Sequence, residues 1–252
     1  MSTFAADTSL VLTRELRPVV RDPFSVIFAM VQPLVFLALF GPLLDQVSDL
    51  GTGSSLQWFV PGIVVMSALF AASTTGANLQ QDIKTGAHER MLVTPLNRSA
   101  LLVGRAFKEV VPVLLQTAII VAVTIPFGFR FEPLGAVAGL AIVATFAVGL
   151  GALSHALALA AKDNDWVFWG VQQTLLFPLL LLSGMLLPID GGPGWMQALS
   201  QANPLTHVVD AERALFDGRF AEAAVGWGVL SALIVLAVGL WVGVRATRAG
   251  AD

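Results

Sequence analysis

Long stretches without a single acidic or basic side chain constrain this chain more than any motif in it. Such windows run from Pro23 to Leu44, Leu50 to Gln81, Val110 to Phe129, Pro133 to Ala161, Trp166 to Ile189 and Ala223 to Val244. Each reaches the roughly 20 residues that a helix needs to cross a hydrocarbon core. A charge at the centre of a span costs about 2.5 to 3.5 kcal/mol on insertion, so windows this long and this clean are the signature of membrane helices. They predict an all-α integral membrane protein with six spans, at about 24–44, 58–79, 104–128, 134–161, 166–187 and 223–244.

Composition agrees. Only 12% of the 252 residues are charged and the mean hydropathy is +0.79, against about 25% charged in an ordinary soluble domain. The net charge of -3 is small and spread along the chain. No basic stripe with interleaved aromatics is present, which leaves nucleic-acid binding without a footing. There are no cysteines, hence no disulfides, thiolate metal sites or cysteine nucleophiles. Arginines outnumber lysines eleven to three, in a background rich in Ala, Gly, Leu and Val, which points to a GC-rich bacterial source.

An even number of spans places both termini on one side, and the basic residues choose the side. With the ends and alternate loops in the cytoplasm, Arg14, Arg17, Arg21, Lys84, Arg90, Arg98, Arg105, Lys108, Lys162, Arg245 and Arg248 lie inside, and only Arg130, Arg213 and Arg219 lie outside. The expected location is a bacterial inner membrane, crossed several times. Residues 1–22 are expected to form an N-terminal cytoplasmic helix in the headgroup region. Leu12, Leu16, Val19 and Val20 line one of its faces, arginines line another, and Pro18 is expected to kink or shorten it. Asp22 before Pro23 is a helix-start pattern for the first span, which is read as uncleaved.

The longest polar interruption on the inner side is Gln80 to Arg105. It brings Asp82, Lys84, His88, Glu89 and Arg90 together, yet Ile83, Ala87 and Met91 recur at i, i+4 and i+8. A helix here has one apolar and one charged face, and Pro95 is placed to end it. Such a helix is either an ordinary solvated loop element or a docking surface for a partner. On the outer side the loop Asp190 to Glu222 carries apolar stretches at Met196–Leu199 and Leu205–Val209, but too many charges for a further crossing. Helices dipping into the outer leaflet are expected, with turns at Pro193 and Pro204 and Trp195 at the interface. The GxxxG spacings Gly135/Gly139 and Gly239/Gly243 are read as packing within the chain.

What the sequence lacks narrows its chemistry. It has no GxxxxGK[ST] phosphate loop, so ATP hydrolysis is not expected of it and it is not read as an enzyme. The windows hold no Asp, Glu or Lys for a proton relay. His88, His155 and His207 fall at three different depths and are not expected to share a metal. A hydrolase built on Ser154 or Ser183 is a formal alternative, and a catalytically silent membrane assembly protein is another.

Four segments resemble the permease subunits of ABC-2-type transporters, especially the daunorubicin-resistance-like exporters of bacteria. RDPFSVIFAMVQPLVFLALFG (Arg21 to Gly41) is similar to the family's basic-then-proline entry into its first span. DIKTGAHERMLVTPLNRSALLVGR is similar to its cytoplasmic segment at Asp82, Gly86, Arg90, Pro95, Arg98, Gly104 and Arg105, reading MLVTP where the drug-resistance branch commonly has an FRSLP-like run. LLSGMLLPID (Leu181 to Asp190) resembles the end of the fifth span, and NPLTHVVDAERALFDG (Asn203 to Gly218) resembles the late segment before the sixth.

The resemblance implies a transmembrane domain over residues 23–252 that pairs with a second, identical or paralogous, permease chain and with two ATP-binding-cassette ATPase subunits. These subunits carry Mg-ATP, and no cofactor is expected on this chain. Residues 82–95 then look like a coupling helix, with Asp82, Ile83, Lys84, Gly86, Ala87, Glu89, Arg90, Met91 and Pro95 meeting the ATPase. Cargo, a small hydrophobic or amphiphilic drug, antibiotic or lipid, is expected to pass Gln32, Phe36, Asn78, Gln172, Gln173, Thr174 and Phe177. The re-entrant segment 193–215 would shape the exit through Trp195, Asn203, Pro204 and His207. A lipid or glycan exporter of the same architecture is the alternative within transport.

Overall fold

The computed structural model describes residues 4–21, 23–44, 55–92, 98–162, 164–189 and 191–249. All regular structure among the described residues is helical: α1 (Phe4–Arg21), α2 (Pro23–Leu44), α3 (Ser55–Lys84), α4 (Ala87–Leu92), α5 (Arg98–Phe107), α6 (Val110–Thr124), α7 (Pro133–Ala160), α8 (Asp165–Leu181), α9 (Gly194–Ala202), α10 (Pro204–Phe216) and α11 (Ala223–Ala249). A helix bonds its own backbone polar groups, which apolar surroundings require. Among the described residues, four helical stretches are long and apolar enough to cross a membrane: Ser55–Lys84, Ser99–Phe127, Pro133–Ala160 and Ala223–Arg248. Of the other two windows, the first yields a shorter apolar helix, Phe28–Pro42, and the fifth gives α8, which stops at Leu181 rather than 187.

Helix α3 is the central post. Phe59, Ile63, Val64, Met66, Leu69 and Leu79 along it are all buried, and α2, α6, α7 and α10 pack around it. At its start Gln57 donates to the Arg130 carbonyl and to Asp217, at 2.6 and 2.9 Å. At its end Lys84 pairs with Asp165. Those 27 residues of rise separate the two contacts by about 40 Å. The basic residues assigned to opposite sides by the sequence thus gather at opposite ends of one helix: Lys84 and Arg105 at one, Arg130 and Arg213 at the other.

Close helix approach rests on glycines, as the GxxxG spacings suggest. A Cβ at Gly239 would stand 2.1 Å from the Gly149 carbonyl oxygen, and one at Gly135 1.8 Å from that of Leu215. The first pair locks α11 to α7 and the second locks α7 to α10, both within the chain.

Three local features add to or correct the expectations, the last of them a correction. Helix α1 is not shortened at Pro18 but runs on to Arg21. The third span, expected at about 104–128, falls on the apolar stretch Ser99–Phe127. It divides at Lys108 and Glu109, between α5 and α6, and ends in a short 3-10 turn at Ile125–Phe127. The amphipathic helix expected from Asp82 is interrupted by Gly86, whose φ of +66° is left-handed and closed to most L-residues. Ile83 therefore belongs to α3, while Ala87 and Met91 belong to the six-residue α4. Asp22 and Pro95 lie outside the described residues.

Candidate functional site

A cavity of about 780 Å³ opens beside α3, lined from α1, α2, α3, α6 and α8 and from the break between α5 and α6. Ser67 and Asp82 mark its extent on α3, some 22 Å apart along the axis. Polar groups converge on it: Gln32 from α2, Ser73, Thr74 and Asn78 from α3, Gln116 from α6, Gln172 and Gln173 from α8. Phe28, Phe70, Trp169 and Leu176 supply apolar wall. Its size and mixture suit a small amphiphile.

Of the cargo-path residues expected from the sequence, Gln32, Asn78, Gln172 and Gln173 line this cavity. Phe36 does not line it; its ring stacks on Phe40 at 5.5 Å, and Phe40 in turn on the buried Phe59. Thr174 and Phe177 are exposed on the outward side of α8, whose buried residues are Phe168, Gln172 and Leu180. Gln172 is held by Ser154, whose hydroxyl lies 3.0 Å from Gln172 Oε1 and 3.0 Å from the Ser73 carbonyl while accepting from the Gly76 amide at 3.2 Å. That hydroxyl joins α3, α7 and α8. Ser183 likewise donates to the Leu180 carbonyl, at 2.7 Å. Ser154 thus bridges helices and Ser183 closes the local turn after α8, both ordinary uses of such groups in apolar bundles.

One end of the cavity is charged, although no window contains a charge. Lys108 and Glu109, at the break before α6, are both buried. Thr75 donates to Glu109 Oε1 at 2.5 Å, and Lys108 Nζ stands 3.8 Å from Glu109 and 3.8 Å from Glu15 of α1. Beside them the buried Arg105 guanidinium meets Glu15 at 3.3 Å and pairs with Asp82. The sequence signal for this pole was available in part: Gln116 is a polar residue seven positions after Glu109, on the same helix face.

The segment after α3 is tied into this pole. Asp82 is engaged by Arg105 and Lys84 by Asp165. Ile83 packs toward Leu79, Ala158, Ala161 and Phe168, and Met91 Sδ lies 4.0 Å from Arg105 and contacts Arg14. Ala87 is half-buried, and Glu89 lies in α4. Arg90 is exposed, its guanidinium donating to the Thr85 carbonyl at 3.3 Å.

At the far end of the bundle, α9 and α10 form the expected pair of short helices. Asn203 caps α10 through the Leu205 amide at 3.0 Å and donates to the Leu179 carbonyl at 2.7 Å. Pro204 takes the first helical position, where no amide hydrogen is needed. His207 Nε2 lies 3.0 Å from the Gln201 carbonyl, its ring against Trp227, and Trp195 is exposed. The sequence reading did not single out Arg213. It lies 4.0 Å over the Trp58 ring and donates to the Trp58 and Gly184 carbonyls at 3.1 and 2.8 Å, stitching α10 to the start of α3 and to the turn after α8.

A helical bundle with helices long and apolar enough to cross a membrane, and beside α3 a mixed polar and aromatic cavity with one charged end, defines a multi-pass membrane protein. The chain belongs to the ABC-2 type transporter family, whose description matches residues 7–216. It is 30% identical over 198 residues to the daunorubicin resistance ABC transporter permease protein DrrB1 of Streptomyces coeruleorubidus, covering 78% of this chain and 70% of that protein. To the "Probable doxorubicin resistance ABC transporter permease protein DrrC" of Mycobacterium tuberculosis it is 25% identical over 248 residues, 96% of this chain and 89% of that one.

Proposed function

We propose that this chain is the membrane-spanning permease of an ATP-binding-cassette exporter, which moves a hydrophobic or amphiphilic compound out of the cell using ATP hydrolysed by a partner. The observation that carries the reading is the cavity beside α3, mixed in polarity and lined by Gln32, Asn78, Gln172 and Gln173, in a chain of this family. Relatives named for resistance to daunorubicin and doxorubicin support a drug-like cargo. In this reading α2 and α8 complete a set of six spans, both termini are cytoplasmic in a bacterial inner membrane, and two permease chains stand over two ATPase subunits. The chain itself carries no cofactor and does no chemistry.

The coupling surface is the α3–α4 connection, with Asp82, Ile83, Lys84, Gly86, Ala87, Glu89, Arg90, Met91 and Pro95. Closure of the ATPases displaces α4 and with it the ends of α3 and α5, shifting the population between inward-open and outward-open states. Asp82 and Met91 reach Arg105, less than one turn of chain from the Lys108–Glu109 break, so the displacement arrives at the cavity's charged pole. Trp195, Asn203, Pro204 and His207 belong to the exit side, where α9 and α10 shape the outlet. Mild extraction from the native membrane tests the reading: a magnesium-ATP-hydrolysing subunit should accompany the chain in equal number. A chain that comes out alone, with no ATPase bound, overturns it.

A further inference from the structure

We propose that the charged end of the cavity is a recognition site for the protonated amine of an amphiphilic cargo, with Glu109 as counter-charge and Gln116 as acceptor for a second donor farther along the same cargo. The inference rests on the exporter reading above and narrows its cargo. At this pole Arg14, Arg105 and Lys108 stand against Glu15, Asp82 and Glu109, equal in number but unequal in contact, and Arg14 lies 3.8 Å from Glu15. Arg105 pairs with Asp82 and Glu15. Lys108 is divided between Glu15 and Glu109, at 3.8 Å from each, beyond hydrogen-bond length. Glu109 keeps one hydrogen bond, from Thr75 to Oε1, and its Oε2 has no partner among the described residues. Gln116 Oε1 is in the same condition.

Both residues line the cavity, and both unmet atoms are acceptors. Seven residues apart on one helix face, they are spaced about 10 Å along the wall. A buried carboxylate oxygen without a hydrogen-bond donor is expensive, and an ammonium with N–H donors supplies the close contact that Lys108, at 3.8 Å from Glu109, does not. The two oxygens are shielded from solvent, and a rotation of either side chain carries its oxygen to the cavity wall, where a donor brought by the cargo can meet it. Phe28, Phe70 and Trp169 on the same cavity wall receive the apolar body and favour a nearby cation through their ring faces. A neutral lipid or an anionic glycan offers no such complement to Glu109.

The test uses the permease with its ATPase in lipid nanodiscs and two fluorescent probes, dansylcadaverine, which carries a primary amine, and its N-acetylated, neutral form. After subtraction of empty-nanodisc partitioning, the wild-type complex should bind the amine about tenfold more tightly than the acetylated probe. Glu109→Gln, which keeps an acceptor for Thr75 but no charge, should remove that preference while binding the acetylated probe within about twofold of wild type. Glu109→Asp should retain part of it. Equal binding of both probes by the wild type, binding of neither, or an undiminished preference in E109Q overturns the inference. Those outcomes with the ATPase still attached leave the exporter reading standing; a permease that retains no ATPase is the separate failure of that reading.

Discussion

Arg105 of α5 donates to Glu15 of α1 at 3.3 Å and on its other branch pairs with Asp82 at the end of α3. One buried guanidinium thereby fixes the three elements that surround the charged end of the cavity. Removing one partner from such a pair leaves the other uncompensated. Arg105→Gln should therefore destabilise the folded chain by about 3 kcal/mol. Asp82→Asn should cost less, because Asp82 is the more exposed partner. The double variant should be distinctly less damaging than the sum of the two. Thermal unfolding of the detergent-solubilised protein through this cycle measures the coupling; strict additivity would show that the pair contributes nothing of its own.

Gly86 ends α3 at a φ of +66°. Proline, fixed near -65°, cannot occupy that position without rebuilding the α3–α4 connection. Gly86→Pro should leave membrane insertion intact and abolish cargo transport while ATP hydrolysis continues. Arg90, exposed and held only locally, offers a milder probe. Arg90→Glu should change folding stability by less than about 0.5 kcal/mol yet weaken ATPase association several-fold, more at low salt than at high. Transport and hydrolysis measured together in proteoliposomes decide the matter, and unimpaired transport in both variants would remove the coupling role of this segment.

A side chain at Gly239 has nowhere to go, because its first carbon would sit 2.1 Å from the Gly149 carbonyl oxygen. Backbone cannot yield as a flexible side chain does. Gly239→Ala should force α11 from α7 and lower stability by about 1 to 3 kcal/mol. Gly226→Ala on the same helix, with open space around it, should be neutral or slightly stabilising. Equal unfolding midpoints for the two variants would contradict the packing described for this pair of helices.

Glu212 of α10 is fully buried against Gly139, neither of its oxygens has a partner among the described residues, and burial pushes its pKa from 4.5 up to about 8. Between those values the folded protein holds a proton that the unfolded chain has released. Stability is then fully present below about pH 4.5 and is lost as pH rises toward 8. Unfolding midpoints of the solubilised wild type should fall across that interval, and Glu212→Gln, which cannot ionise, should have a flatter profile. A variant profile as steep as the wild type's would assign the pH dependence to another group.

The windows without charge are one-dimensional facts, and so are the glycine spacings and the excess of basic residues on alternate loops. From them the sequence alone determined that the chain is helical and membrane-embedded, and that Lys84 and Arg105 belong at one end and Arg130 and Arg213 at the other. A residue type and its local period are enough for such statements, because each depends on neighbours within a turn or two of chain. The cargo-path set Gln32, Phe36, Asn78, Gln172, Gln173, Thr174 and Phe177 came only from the resemblance to the family. The tertiary structure alone decided that Phe36 stacks into the core while Phe28 and Trp169 line the cavity. It also decided that Lys108 and Glu109, which read as ordinary charges at the edge of a span, are buried at its pole. Arg105 and Glu15 are 90 residues apart in the chain. Whether a charge is buried and paired is set by partners at that distance, and only the folded chain brings them together.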